Sequence, residues 1–528
     1  MALISMTPRR TLFFLSLIVF TGLTIRLGYL WHVTSQPGYR WVDPDSYERK
    51  ARDLAQGDDG WEWSFDAVRH TVDGRDYALP PLYPTFLSAF AVFPGFPRSA
   101  QVGQVLLSSL SIVLVFFMAR SLHSERAGVL AAVIYALWLP NVIAVWSTMQ
   151  EALYVPLVLL AFVLLVRAIQ RDAGFVASFG AGLGFGLAAL TRSMPLYFVP
   201  IGAIFARKPR RIAGLLLGFV TLTLPYSVVL SRHLGEMTFI ENHGGIRIVE
   251  RYGGHDGEEP PGALETGRIV ARALVSSPGN ILSDWWRTTR AVLHVNGGRL
   301  LQIYLGAATK LGARLSKLAA NILGDATFVV SLLLAPFGVA LCRRPWVAWL
   351  FVAWIGLNLV LTMVSGFGGA RLRAPFEPHL VALAAVVMTL DYRDHRPSRL
   401  ICAALPSFVL ALIVVPQISS SLRAKGDYGV YWPLDAPPKR APMFGEAGFN
   451  VLAKEHSVEF LLRPRNATGE TRVRVSLEGN VMEEVIVRRQ EHRFQYRWPT
   501  FGLVYVEVEA KDVVTEEPVR ALVIVPAR

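Results

Sequence analysis

The sequence predicts an α-helical polytopic membrane protein of about eleven transmembrane helices with a C-terminal, β-sandwich-like soluble domain. Three observations carry this. Of 528 residues, 52% are hydrophobic and the mean hydropathy is +0.38, more apolar than a soluble globule of this length. The apolar residues gather into runs near the ~20 residues a helix needs to cross a bilayer. From about Glu446 the pattern changes to short, alternating, β-branched stretches separated by turn residues, the signature of antiparallel strands.

The first run, 12–31, follows Arg9 and Arg10. A secretory leader is the competing reading, but Arg26 interrupts the run, no small-x-small cleavage site follows, and many further runs come later. It therefore reads as an uncleaved helix with a cytoplasmic N-terminus. The remaining runs are 99–118, 127–146, 152–168, 174–190, 195–206, 212–230, 326–341, 346–364, 375–390 and 400–415. Alternation from a cytoplasmic start places Arg120 and Arg126, Arg167 and Arg171, Arg207 to Arg211, Arg343 and Arg344, and Arg393 to Arg399 on the inner side. Each of these connections is short and basic, as the positive-inside rule requires. The net charge of +13 is thereby a topology signal rather than a nucleic-acid footprint.

The same alternation puts outside the loops 32–98 and 231–325 and everything after about Pro416. Segment 81–93 is apolar, short and punctuated by prolines, so it dips into or lies along the outer leaflet. Residues 1–417 form the membrane domain, 418–445 a proline-bearing linker, and 446–528 the extracytoplasmic β-rich domain, with strands expected at 458–462, 471–477, 481–488, 493–498, 502–510 and 519–525. Cys342 and Cys402, both in or beside apolar runs, support neither a disulfide framework nor a cysteine metal site. No internal repeat or low-complexity tract is visible.

Chemistry is expected in the outer loops. Trp41-Val-Asp-Pro-Asp-Ser-Tyr-Glu places Asp43 and Asp45 about a dozen residues past the first membrane exit. Paired carboxylates raise each other's pKa and suit one of them to general-base work; the same residues also suit the N-cap of a helix over 47–56. Tyr77-Ala-Leu-Pro-Pro-Leu-Tyr-Pro84 marks an interfacial turn. Glu151 opens a membrane helix, where the helix dipole favours an acid and where an ionisable residue also points to function. Arg192, in Leu190-Thr-Arg-Ser-Met-Pro195, and Arg371 and Arg373, in Arg371-Leu-Arg-Ala-Pro-Phe-Glu-Pro378, lie outside against the charge bias. Arginines there suit a lipid phosphate held bidentately; the alternatives are snorkelling or ion pairs with Glu151 or Glu377. His243-Gly-Gly and Gly253-Gly-His255-Asp lack metal-site spacing. Asn466-Ala-Thr468 matches a glycosylation acceptor, which has meaning only in a eukaryotic secretory context.

Taken in order, these pieces resemble the GT-C membrane glycosyltransferases, the superfamily of protein O-mannosyltransferases and lipid A aminoarabinose transferases, over residues 9–390. Asp45-Ser46-Tyr47 resembles the family's Asp-Ser-x-Tyr or Asp-Glu-x-Tyr context shortened by one residue. Pro80-Pro-Leu-Tyr-Pro84, Gln150-Glu-Ala-Leu153, Leu190-Thr-Arg-Ser193 and Arg371–Pro375 resemble later family elements. Leu79 stands where a basic residue is frequent and Ser193 where proline is common, so contacts made by that basic residue fall to Arg75 or His70. The resemblance implies transfer of a sugar, hexosyl or pentosyl, from a polyprenyl-phosphate donor to a lipid, glycan or protein acceptor on the outer face of the cytoplasmic membrane. It implies Asp45 or Asp43 as the base, Arg192, Arg371 and Arg373 as donor-phosphate ligands, and Tyr47, His70, Tyr83 and Glu151 as pocket residues. A divalent cation is left open, since some members use one and others do not. The alternatives are a polytopic transporter or flippase, which would favour repeats not visible here, and an oligosaccharide ligase.

Overall fold

The computed structural model describes residues 7–35, 47–55, 69–72, 75–146, 149–170, 174–235, 237–241, 248, 251–252, 263–293, 317–365, 370–390, 397–423 and the strands between 439 and 525. The chain divides into two compact units: Met1–Leu30, Trp41–Val295 and Asp325–Ile418 form one, and Trp31–Arg40, Asn296–Gly324 and Ser419–Arg528 the other.

In the first unit every apolar run is helical. Helices α1 (Pro8–Thr34), α4 (Arg98–Leu122), α7 (Glu151–Gln170), α8 (Gly174–Thr191), α10 (Pro209–Leu234), Pro345–Ser365 and the stretch Ser398–Val415 are long and apolar enough to cross a bilayer. Four runs fall on shorter helices. The run 127–146 is not one span: α5 (Glu125–Ala136) stops before Pro140, followed by α6 (Leu139–Ile143) and the 3-10 turn Ala144–Trp146, because proline cannot continue the helical hydrogen bonding. The others are α9 (Met194–Ala206), Glu377–Met388 and the apolar part Asp325–Leu341 of the helix Lys317–Leu341. Leu12, Phe13, Leu17 and Phe20 on the first helix, and Ile401, Leu405, Phe408 and Leu412 on the last, remain exposed. Such apolar outer faces belong in lipid. The chain is a multi-pass membrane protein.

Inside the bundle, Phe162 packs against Phe185, Phe198, Phe351, Trp354 and His379, with ring centroids 4.7 to 5.8 Å apart. Arg26, the charge within the first run, is buried with Nε 2.8 Å from Ser108 Oγ and Nη1 3.0 and 3.1 Å from the carbonyls of Gly22 and Ala136. Protein thus satisfies its Nε and Nη1, as an intramembrane charge requires, while its buried Nη2 has no hydrogen-bond partner among the described residues. Helices α8 and α10 approach most closely through glycines: a Cβ on Gly182 would meet Leu215 O and lie 2.8 Å from Phe219 N, and one on Gly218 would meet Phe179 O and lie 2.9 Å from Leu183 N. Small residues of this kind let membrane helices touch backbone to backbone.

Outside the spans, α2 (Tyr47–Ala55) buries Tyr47, Lys50, Ala51 and Leu54, an i, i+3, i+4, i+7 face. That face shares an apolar cluster with Leu79, Tyr83 and Leu87, the last two on α3 (Leu82–Ala91), the helix formed by the short proline-flanked segment. The hairpin β1 (Arg69–Val72) and β2 (Arg75–Ala78) precedes it. The second large loop contains two helices not anticipated from its polar composition, Ala263–Ser276 and Pro278–Val292.

In the second unit eight strands form one antiparallel ladder, β7-β6-β9-β4-β3-β10-β5-β8. They are β3 (Lys439–Phe444), β4 (Glu446–Ala453), β5 (Ser457–Pro464), β6 (Glu470–Leu477), β7 (Asn480–Arg488), β8 (His492–Arg497), β9 (Gly502–Asp512) and β10 (Arg520–Val525). All six expected strands are present. β3 lies in the stretch read as linker, and β4, with Gly448 and Asn450 in its middle, lacks the alternation that marks the others. The group β7-β6-β9-β4 joins β3-β10-β5-β8 through the single register pair Phe444↔Glu446. Buried Phe460, Leu462, Val473, Val475, Phe494 and Val508 form its apolar side.

Candidate functional site

Antiparallel alternation brings the starts of α4, α7 and α9 and the ends of α8 and α10 to one end of the bundle, and polar side chains gather there. Tyr47, the first residue of α2, donates its hydroxyl to Gln150 Oε1 at 3.3 Å and stands edge-on to Tyr83, ring centroids 4.9 Å apart. Tyr83 donates to Gln104 Oε1 at 2.7 Å, and Gln104 Nε2 reaches Val145 O at 3.0 Å. This relay ties α2 and α3 to α4 and to the turn before α7. Beside it the Tyr226 hydroxyl donates to Leu79 O at 3.3 Å, fixing the paired-proline step to α10.

Next to Gln150, Glu151 Oε1 lies 3.1 Å from Arg192 Nη1, and the two side chains are only 9% and 15% exposed. Arg192 follows the last turn of α8, its amide bonded to Ala188 O at 2.8 Å. The following residue, Ser193, donates its hydroxyl to Glu241. Glu241 arrives there because α10 ends at Gly235 in the left-handed conformation, φ 70°, a turn that favours glycine. The chain then runs back along α10: the Ser231 hydroxyl donates to Thr238 O and accepts Thr238 N–H, each at 2.9 Å, and the Ser227 hydroxyl donates to Phe239 O. Burial pushes the Glu241 carboxyl above the usual carboxylate range, against the pull of the Ser193 hydroxyl and the Arg192 charge. Glu241 also acts electrostatically on Tyr154, Tyr197 and Tyr226.

Arg373 sits in an ion cluster of its own. Its Nε is 2.6 Å from Glu377 Oε1, its Nη2 is 3.0 Å from Asp325 Oδ1, and its guanidinium lies 3.8 Å over the Phe328 ring. All three ionisable side chains are at most 5% exposed.

Of the residues singled out from sequence, Tyr47, Tyr83, Glu151 and Arg192 come together, and Arg192 with Glu151 and Arg373 with Glu377 both take the ion pairs that were the structural alternative to phosphate binding. Asp43, Asp45, His243 and His255 lie outside the described residues, and the structure describes the backbone but not the side chains of His70, in β1, and Arg371, in the 3-10 turn Ala370–Arg373. Sequence reasoning missed Gln104, Ser193, Glu241 and Asp325. Polar residues inside or at the mouth of apolar helices are the signal that finds Gln104 and Asp325; Glu241 gives no such signal. Among the described residues no three His, Cys, Asp or Glu side chains converge as a metal site.

Residues 79–230, which hold Tyr83, Gln104, Glu151, Arg192 and Ser193, match the family model of dolichyl-phosphate-mannose-protein mannosyltransferase. Over these residues the chain is similar to that family. No curated protein matches this chain. Among solved structures it is similar to the archaeal oligosaccharyltransferase AglB from Archaeoglobus fulgidus in complex with an inhibitory peptide and a dolichol-phosphate, at 17% identity and a TM-score of 0.41 over 78% of this chain and 56% of that one. It is also similar to ArnT from Cupriavidus metallidurans bound to undecaprenyl phosphate, at 15% identity and a TM-score of 0.33 over 82% of this chain and 92% of that one. The chain thus spans a little over half the length of the oligosaccharyltransferase.

Proposed function

We propose that this chain is a membrane glycosyltransferase that moves a hexose or pentose from a polyprenyl-phosphate donor to a lipid, glycan or protein acceptor. The reaction takes place at the end of the bundle that the arginine pattern assigns to the outer face of the cytoplasmic membrane. In this reading the N-terminus is cytoplasmic and the β-rich domain extracytoplasmic. The observation that carries the proposal is the convergence of Tyr47, Tyr83, Glu151 and Arg192, the last three inside the segment 79–230 that matches the mannosyltransferase model.

In the proposed step Asp45, or Asp43, removes the proton from an acceptor hydroxyl as its oxygen bonds to the anomeric carbon. The bond from that carbon to the donor phosphate oxygen breaks, and the lipid phosphate leaves with the electron pair. Chain connectivity keeps Asp45 within ~7 Å, Cα to Cα, of Tyr47, whose ring and hydroxyl are anchored beside Gln150 and Glu151. Arg192 faces the departing phosphate. Glu151 holds one Nη1 donor and so fixes the guanidinium plane, leaving further N–H groups to meet charge as it develops. Arg371 is proposed as a second donor-phosphate ligand and His70 as a pocket residue.

The test is transfer of radiolabelled sugar from polyprenyl-phosphate donors in membranes carrying wild-type chain and Asp45→Asn, Asp43→Asn and Arg192→Ala variants at matched levels. Loss of transfer in one aspartate variant with normal insertion identifies the base. Equal turnover in all variants removes these roles, and no transfer by wild type across a broad donor panel favours the transporter or ligase.

A further inference from the structure

The opposite end of the same helices carries a second cationic constellation. About 16 residues of helix, ~24 Å at 1.5 Å per residue, separate Glu151 from Arg167 and Gln104 from Arg120. There Arg120 near the end of α4, Arg167 near the end of α7 and Arg344 just before helix Pro345–Ser365 line one cavity of about 310 Å³. Gln170 shares its rim, and Phe117 and Val163 contribute to an apolar wall. The rim is built rather than scattered: Arg344 Nη1 and Gln170 Nε2 both donate to Ser121 O at 3.2 Å, drawing α7 and the Arg344 connection onto the end of α4.

Charge at the cavity is unbalanced. Arg120 pairs with Glu125 at 2.8 Å, and Glu125 also accepts the Thr11 hydroxyl at 2.7 Å. Neither Arg167 nor Arg344 pairs with a carboxylate among the described residues. The positive-inside bias explains why arginines occur at this end. It does not require arginines from three separate helix ends to share one interhelical cavity with an apolar wall. A basic cavity between transmembrane helices, cationic at the rim and apolar below, fits a phosphate group whose remainder is lipid, and guanidinium groups hold phosphate oxygens through paired hydrogen bonds.

We propose that Arg120, Arg167 and Arg344 form a phosphate-binding site for the headgroup of an anionic phospholipid, distinct from the site at the other end of α4 and α7. Bound there, the headgroup cross-links the ends of α4 and α7 and the Arg344 connection. It neutralises Arg167 and Arg344, which have no carboxylate partner among the described residues, and adds to the Glu125 charge already beside Arg120.

The experiment uses the full chain in detergent micelles, with phosphatidylglycerol or phosphatidylcholine added and bound lipid counted by native mass spectrometry, and with inorganic phosphate as a third probe. Phosphatidylglycerol is expected to bind about tenfold more tightly than phosphatidylcholine. That preference is expected to vanish in the double variant Arg167→Gln, Arg344→Gln and to survive in Arg343→Gln, which changes a neighbouring charge outside the cavity. Arg167→Lys, Arg344→Lys keeps the charge and is expected to retain part of the preference, which guards against a folding defect in the double glutamine variant. An unchanged preference in the double glutamine variant, or an equal loss in Arg343→Gln, overturns the site. Saturable binding of inorganic phosphate without any preference between the lipids overturns the lipid assignment.

Discussion

Glu241 accepts the hydroxyl of Ser193 across 48 residues of chain, and the left-handed glycine at the end of α10 is what allows it. Without a reversal at Gly235, φ 70°, the chain leaving α10 would carry Glu241 away from the mouth of α8. Replacing Gly235 by alanine imposes a left-handed residue with a Cβ, a strain of about 1 kcal/mol. A modest fall in melting temperature in detergent is expected, together with a larger proportional loss of sugar transfer because the Ser193–Glu241 contact loosens. Unchanged transfer would show that the reversal is dispensable.

The Glu241 carboxyl is raised by burial, so folding favours its neutral form. Its contribution to stability is fully present below the ordinary glutamate range and is lost as pH rises through the raised value. Wild type should therefore lose thermal stability relative to Glu241→Gln as pH climbs out of the ordinary carboxylate range, and the gap should level off above the folded-state value. Melting curves of the two proteins over a pH series read this directly; parallel curves would contradict it.

Glu151 and Arg192 are both largely buried. Removing one partner leaves an uncompensated charge at a cost of about 3–5 kcal/mol, whereas removing both costs less. The double-mutant cycle Glu151→Gln, Arg192→Gln should accordingly show strong positive coupling in stability. If Arg192 also meets the donor phosphate, the double variant recovers stability without recovering transfer. Recovery of both would leave Arg192 a structural role alone.

Arg373 presents the opposite expectation. With Asp325, Glu377 and the face of Phe328 around it, Arg373→Met strands two buried carboxylates and should reduce folded yield sharply, by about 3–5 kcal/mol of stability. Arg373→Met combined with Asp325→Leu and Glu377→Leu should restore much of that yield. Transfer activity in the restored protein would assign Arg373 to the scaffold; its absence would keep Arg373 among the donor ligands.

Gly182→Ala and Gly218→Ala test the contact between α8 and α10. The added methyl group meets backbone rather than a yielding side chain, so each variant should lose about 1–3 kcal/mol. Transfer should fall too, since Arg192 follows α8 and Glu241 follows α10. Gly356, around which nothing lies within 4 Å of an added Cβ, is the control position, and equal effects at all three would refute the close-contact account.

Much of the architecture was legible in the sequence because its cause is local. A bilayer demands about 20 apolar residues per helix and satisfied backbone within each, and all eleven apolar runs are helical. The interruption of 127–146 at Pro140 was not read from the sequence, because the run's overall apolarity hides it. Six strands announced themselves by alternation; β3 and β4 did not, since their pairing is decided by partners distant in sequence.

For the site, the sequence determined which residues were out of place: acids and arginines at apolar boundaries, where desolvation makes an unneeded charge expensive. Tertiary structure alone decided which of them meet. Arg192 and Arg373 look alike in sequence, yet one pairs with Glu151 beside Ser193 and Glu241 and the other is enclosed by Asp325 and Glu377. An ion pair depends on distance through space, and for Glu151 and Arg192 that distance is set by how the start of α7 packs against the end of α8, a quantity to which no residue's own hydropathy is sensitive.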